Sequence, residues 1–118
     1  MKDVDVVIVG AGFSGLYLMH RCLKADRSAV LLEQGSDVGG TWYWNRYPGA
    51  RCDAESLAYS FSFSSELEQE WTWSERYAPQ PEILASARHV AERFGIRPHI
   101  RFKTRVTGAM WNEDDSLW

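Results

Sequence analysis

The feature that most constrains this chain lies in its first third. "VDVVIVG", residues 4 to 10, is a nearly continuous β-branched run that ends in Gly10-Ala11-Gly12-Phe13-Ser14-Gly15. Such a run reads as a strand buried on both faces, as in a parallel sheet. In the following "GLYLMHRCLKAD", Leu16, Met19 and Leu23 recur at helical spacing with Cys22 beside them. After Asp26 and Arg27 a second β-like run, "SAVLLEQ", reaches Glu33. Strand, glycine turn, helix and strand within about 30 residues make a βαβ unit. The fold class this predicts is α/β and Rossmann-like, with parallel strands joined through a helix.

Gly10, Gly12 and Gly15 match GxGxxG in the required place between strand and helix. Gly10 allows a tight turn, Gly12 lets backbone approach a pyrophosphate, and Gly15 lets helix and strand pack closely. The helix N-terminus then offers unpaired N–H groups and a positive dipole end to phosphates. Glu33 follows Gly15 by 18 residues, at the end of the second strand. A carboxylate there accepts hydrogen bonds from a ribose diol and repels a 2′-phosphate. The first site is therefore expected to hold FAD or NAD rather than NADP. The Gly39-Gly40 pair favours FAD, because it lets backbone approach a cofactor that extends further.

The rest of the chain is less regular. Residues 35–60 have no sustained period and are broken by Gly35, Gly39, Gly40, Pro48 and Gly49. A stretch of this length without its own structure reads as a ligand-binding loop. It holds "GGTWYWNRYPGARCD", where aromatic rings crowd among loop residues. "YSFSF", residues 59–63, alternates ring and serine like a short extended segment, and "SSELEQEWTW" reads as a brief helix. A longer helix follows, with Pro81 at its start, Ile83, Leu84, Ala87, Val90, Ala91 and Phe94 as its apolar stripe, and Gly95 as its stop. "HIRFKTRVTGAMW" alternates like a strand, "NEDDS" is a solvated turn, and Leu117-Trp118 reads as the start of a returning strand.

Bulk properties exclude some functions. The 118 residues carry a formal charge of −3, which does not suggest a nucleic-acid or anionic-membrane partner. No stretch approaches the roughly 20 apolar residues of a membrane span. Cys22 and Cys52 lack the spacing of a zinc site or redox pair and read as free thiols, which suits a cytoplasmic protein. His20, His89 and His99 share no ligand spacing and read as structural or solvated, and Trp71 and Trp73 as surface-loop or domain-contact residues.

"GAGFSGLY", "LLEQGSDVGGTWYWNRYPGARCD", "ESLAYSFS" and "EWTWSERYAPQPEIL" together resemble the N-terminal part of type I Baeyer–Villiger monooxygenases, of the branch that includes phenylacetone monooxygenase. The resemblance covers nearly the whole chain. It implies FAD in this domain, reduced by NADPH bound mainly in a second nucleotide domain. It also implies oxygen capture from O2 as a C4a-peroxyflavin and insertion of one oxygen atom into a ketone, giving an ester or lactone. Gly10, Gly12, Phe13, Ser14 and Gly15 would cradle the pyrophosphate and Glu33 would hold the ribose. Gly40, Thr41, Trp42 and Trp44 would line the rest of the cofactor. Tyr59 matches a flavin contact, and Val106 would meet the adenine through its backbone. Arg51, Cys52 and Asp53 fall near the nicotinamide end of NADP. Asp53 matches an acid that pairs with a catalytic arginine from a later domain; an Asp bonded to its own loop is the alternative.

The family also needs a second GxGxxG, a fingerprint stretch and that arginine, and none is in these residues. Residues 1–118 are thus expected to be the first part of an FAD-binding domain, without the NADP domain and without turnover alone. The alternatives are an amine- or thioether-oxygenating flavin monooxygenase and a non-catalytic flavin-binding truncation product. The ketone, the regiochemistry and the oligomeric state stay open.

Overall fold

The structure is a computed structural model and describes residues 3–118. Strand β1 (Val6–Val9) leads into helix α1 (Phe13–Lys24), and strand β2 (Ala29–Leu32) follows. Then come a helical turn α2 (Thr41–Trp44), helix α3 (Ser65–Glu70) and helix α4 (Gln80–Arg93). A 3-10 turn at Arg97–His99 precedes strand β3 (Ile100–Arg101). All pairings in the sheet are parallel, in the order β1-β2-β3. Val6 is opposite Ala29, and Leu31 is opposite Ile100. The βαβ unit read from the sequence is present.

The apolar spacing of α1 places Leu16 and Met19 fully inside, against Ile8 of β1 and Leu31 of β2. Val90 and Ala91 of α4, with Ile96 beyond its end, complete the same core. Each of the larger side chains among them stabilises the fold by about 1.5–3 kcal/mol through burial. Gly95 closes α4 in the left-handed region, with φ 64°. Ser64 caps α3 by accepting from the Leu67 N–H at 3.2 Å. Pro81 sits in the first turn of α4, as read from the sequence.

Four expectations need correction. β2 is buried throughout its last three residues, but β1 is not buried on both faces: Val7 is 53% and Val9 65% exposed. The helices cover the Ile8 side, and no described element lies on the other. Residues 35–60 are not uniformly irregular, because the glycine pair starts the turn α2. Residues 59–63 form no strand; their rings instead pack on α1, with Phe61 4.9 Å from Phe13 and Phe63 4.4 Å from His20. The expected strand over 99–111 is reduced to Ile100–Arg101. Lys103 leaves the extended region at φ 53°, and the chain continues by donating from Lys103 N to Gly35 O and from Thr104 N to Glu33 O. Asn112 and Leu117 do form a short antiparallel bridge around the "NEDDS" turn.

Both cysteines are free thiols. Among the described residues no helix is long and apolar enough to cross a membrane.

Candidate dinucleotide-binding site

The site is built where β1 ends. Gly10 has φ 92°, a turn that a side chain would strain. A methyl group on Gly15 would lie 1.9 Å from the Gly10 carbonyl oxygen, so α1 can meet the strand end only through a glycine. The first hydrogen bond of α1 runs from Leu16 N–H to Gly12 O. Gly12 provides no side-chain cap, and no acidic residue stands in the first turn. Among the described residues the N–H groups of Phe13, Ser14 and Gly15 are therefore open to an anion.

Glu33 is almost fully buried, at 4% exposure. Its Oε2 accepts from Ala11 N–H and its Oε1 from Gly35 N–H, both at 2.7 Å. A carboxylate has about four acceptor sites, so two backbone donors leave capacity for further hydroxyl donors. The Glu33 side chain thus ties the glycine turn to the start of the next loop.

The second glycine pair closes on the first motif. Gly39 N–H donates to Ala11 O at 2.9 Å. A methyl group on Gly40 would lie 2.8 Å from the Gly12 Cα. The loop carrying the pair is held from behind by Asp37, which meets Arg88 at 2.7 Å and Arg97 at 2.9 Å. Burial raises the Asp37 carboxyl, but the Val38 N–H and the two guanidiniums outweigh it and hold the group below its usual range.

Two joined clefts result. One, of about 320 Å3, is lined by Gly10, Gly12, Phe13, Ser14, Gly15, Gly40, Thr41, Trp42 and Tyr59. The other, of about 400 Å3, continues over Gly10, Gly12, Gly40 and Thr41 to Glu33, Trp44 and Val106. Twelve of the residues singled out from the sequence therefore share one trough. Trp42 is buried, donates through Nε1 to the Tyr59 hydroxyl at 3.1 Å, and packs with Ile83 and Leu84. Trp44, at 55% exposure, stands on the outer wall.

Arg51, Cys52 and Asp53 line neither cleft. The Arg51 guanidinium is taken by Glu75 and the Tyr77 carbonyl. Cys52 is a core residue at 5% exposure beside Trp42, and Asp53 is exposed. Several residues were missed, Val9, Leu32 and Gln34 on the cleft walls among them. Thr104 and Arg105 line the second cleft beside Val106, and the collapse of the expected strand is what puts them there. Gln80, buried at 7%, donates through Nε2 to Trp42 O at 2.6 Å. Nothing in its sequence context signals that bond.

A parallel βαβ unit with an open glycine-rich helix N-terminus and a buried acid at the second strand end defines a dinucleotide-binding domain. The chain belongs to the NAD(P)-binding Rossmann-like domain family, which matches residues 8–71. Relatives matched over nearly the whole chain include Baeyer–Villiger monooxygenases and a phenazine N-monooxygenase of Lysobacter antibioticus, the latter 40% identical over 115 residues and covering 97% of this chain and 21% of that protein. It is 46% identical over 115 residues to 2-oxo-Delta(3)-4,5,5-trimethylcyclopentenylacetyl-CoA monooxygenase of Pseudomonas putida, covering 98% of this chain and 21% of that protein. It is likewise 46% identical over 117 residues to a Baeyer-Villiger monooxygenase of Pseudooceanicola batsensis, covering 98% of this chain and 22% of the relative. The structure of an oxidized steroid monooxygenase bound to NADP superposes with a TM-score of 0.94 at 60% identity, covering 96% of this chain and 22% of that one. The chain thus spans about a fifth of the length of the proteins it matches.

Proposed function

We propose that residues 1–118 are the first part of the FAD-binding domain of an NADPH-dependent monooxygenase that inserts one oxygen atom of O2 into ketones, giving esters or lactones. The observation that carries this reading is the single trough formed where the Gly39-Gly40 loop closes on the Gly10–Gly15 turn, with Glu33 at one end. The fit to FAD is chemical. Open N–H groups at Phe13, Ser14 and Gly15 suit a pyrophosphate, and the spare acceptor capacity of Glu33 suits a ribose diol. Gly10 and Gly12 leave room for backbone approach. Gly40, Thr41 and Trp42 would line the middle of the cofactor, Trp44 and Val106 the adenosine end, and Tyr59 the flavin end.

When bound, the flavin supplies the redox and oxygen chemistry. The residues of this chain bind it, orient it and exclude water on the Trp42–Tyr59 side. We assign Asp53 and Arg51, with the backbone of Cys52, to the contact with an NADPH-binding domain outside these residues. Asp53 would hold its charge toward an arginine there. Their exposure or position away from the trough suits a role that a further domain completes. The small charge of the chain supports a small-molecule rather than a nucleic-acid partner, and its free thiols support a cytoplasmic setting.

The test is titration of the purified chain with FAD, followed by flavin fluorescence. Saturable quenching that AMP competes away is expected, with no competition from 2′-phosphorylated AMP at the same concentration. Failure to bind FAD would overturn the cofactor assignment. The reaction is tested on the protein encoded by the complete gene, with a cyclic ketone, NADPH and O2; absence of ester or lactone would overturn the activity.

A further inference from the structure

Trp71 and Trp73 stand away from the dinucleotide trough, edge-to-face with ring centroids 5.7 Å apart. With Leu57, Phe61 and Leu67 they wall a pocket of about 200 Å3. Of its three serines, Ser60 is satisfied internally: its Oγ accepts from Trp73 Nε1 at 2.8 Å and donates to Ser56 O at 2.6 Å. Ser62, Ser86 and the buried Trp71 Nε1 are without partners among the described residues, so the walls are ring faces and aliphatic carbon with a few free polar atoms. An apolar cavity of about 150 Å3 is large enough for benzene, so this pocket matches one six-membered ring with a short substituent.

One unpaired carboxylate stands at its mouth. The pocket shares Leu57, Glu68, Trp71 and Trp73 with a more open hollow that also holds Glu55, Glu75 and Arg76. Glu55 is engaged by Arg76 and Glu75 by Arg51. Glu68 borders both spaces, is exposed, and among the described residues forms no ion pair. A free carboxylate at the rim of an aromatic box is complementary to a cation carried on an apolar ring. The indole faces add cation–π attraction to the same charge.

We propose that this pocket is a second binding site, distinct from the dinucleotide trough, for a small ring-bearing organic ammonium. The ring enters between Phe61, Leu67 and the two indoles, and the ammonium stays at the mouth against Glu68. No covalent step is involved.

The probe is 2-phenylethylammonium, with neutral 2-phenylethanol as its isostere. Both are titrated into the isotopically labelled chain while the indole N–H resonances of Trp71 and Trp73 are followed. Trp71→Phe and Trp73→Phe assign those resonances. Saturable shifts at both indoles are expected, with Trp111 and Trp118 unmoved. The alcohol should bind about two- to fivefold more weakly than the ammonium, the range of one exposed ion pair. Glu68→Gln should erase that difference and leave the alcohol unchanged. Ser86→Leu, which fills the pocket from α4, should abolish both titrations while the remaining resonances stay dispersed. Absence of saturable shifts would overturn the site. Equal affinities for the two probes, or full discrimination retained in Glu68→Gln, would overturn the assignment of a cationic ligand.

Discussion

Gly40 and Gly12 touch through their backbones: a side-chain carbon on Gly40 would come within 2.8 Å of the Gly12 Cα. Two glycine motifs far apart in the chain therefore act as one element of structure. The second pair does more than leave space for a long cofactor. It closes on the glycine turn from the far side, helped by the Gly39 N–H on Ala11 O.

Gly40→Ala meets two penalties there, the clash with Gly12 and a positive φ of 55°. Together they should destabilise the chain by about 1–3 kcal/mol. Chemical denaturation reads the loss. Gly108→Ala is the control, since nothing lies within 4 Å of its added carbon; its change should stay within about 0.5 kcal/mol. Equal unfolding midpoints for the two variants would refute the backbone contact.

Glu33→Gln separates a structural from a ligand-binding role. The carboxylate accepts from Ala11 and Gly35 together, whereas an amide can accept through only one of its two end atoms. One buried N–H then loses its partner, at a cost of about 1–3 kcal/mol. The loss should be present without any nucleotide, and FAD affinity should fall as well. A variant of unchanged stability in the absence of FAD would show that the carboxylate does not clamp the turn.

The β-branched run, the glycine spacing and the terminal acid made β1, α1, β2 and the trough legible, because each rests on local chemistry. What escaped depends on contacts distant in sequence. The exposure of Val7 and Val9 could not be read, since burial on both faces needs a second layer that no described element supplies. The ring–serine alternation of residues 59–63 looked like a strand, yet Phe61 and Phe63 gain more by packing on α1. Gln80 looked like an ordinary first-turn residue, and only the fold brings it 38 positions back to the Trp42 carbonyl. The motif alone does not show that the Cys52 side chain fills the core behind Trp42.

Asp37→Asn tests the brace behind the glycine pair. The Asp37 carboxyl is held below its unfolded value, so its contribution is full above about pH 3.8, the usual value, and is lost as pH falls through the lower folded value. At pH 7 the variant should lose about 1 kcal/mol, because Arg88 and Arg97 stay partly solvated. Stability measured at pH 7 and again well below pH 3.8 should show the gap between the two proteins closing. A gap that persists in acid would assign the loss to packing rather than charge.

His20 should make stability pH-dependent near neutrality. Its ring lies 4.4 Å from Phe63 and 4.9 Å from Phe94. Burial, then the nearby Lys24 and Arg21, push its pKa below the usual 6.5. The unfolded chain therefore takes up its proton first as the solution is acidified. The contribution of neutral His20 is complete above pH 6.5 and is lost as pH falls through the folded value. Unfolding midpoints compared between pH 7.5 and 5.5 should fall toward acid. His20→Phe keeps an aromatic ring on Phe63 and removes the titration, so its curve should fall less steeply. The other two histidines are common to both proteins and cancel in the difference. Parallel curves for the two proteins would show that the Phe63–Phe94 setting does not hold His20 neutral.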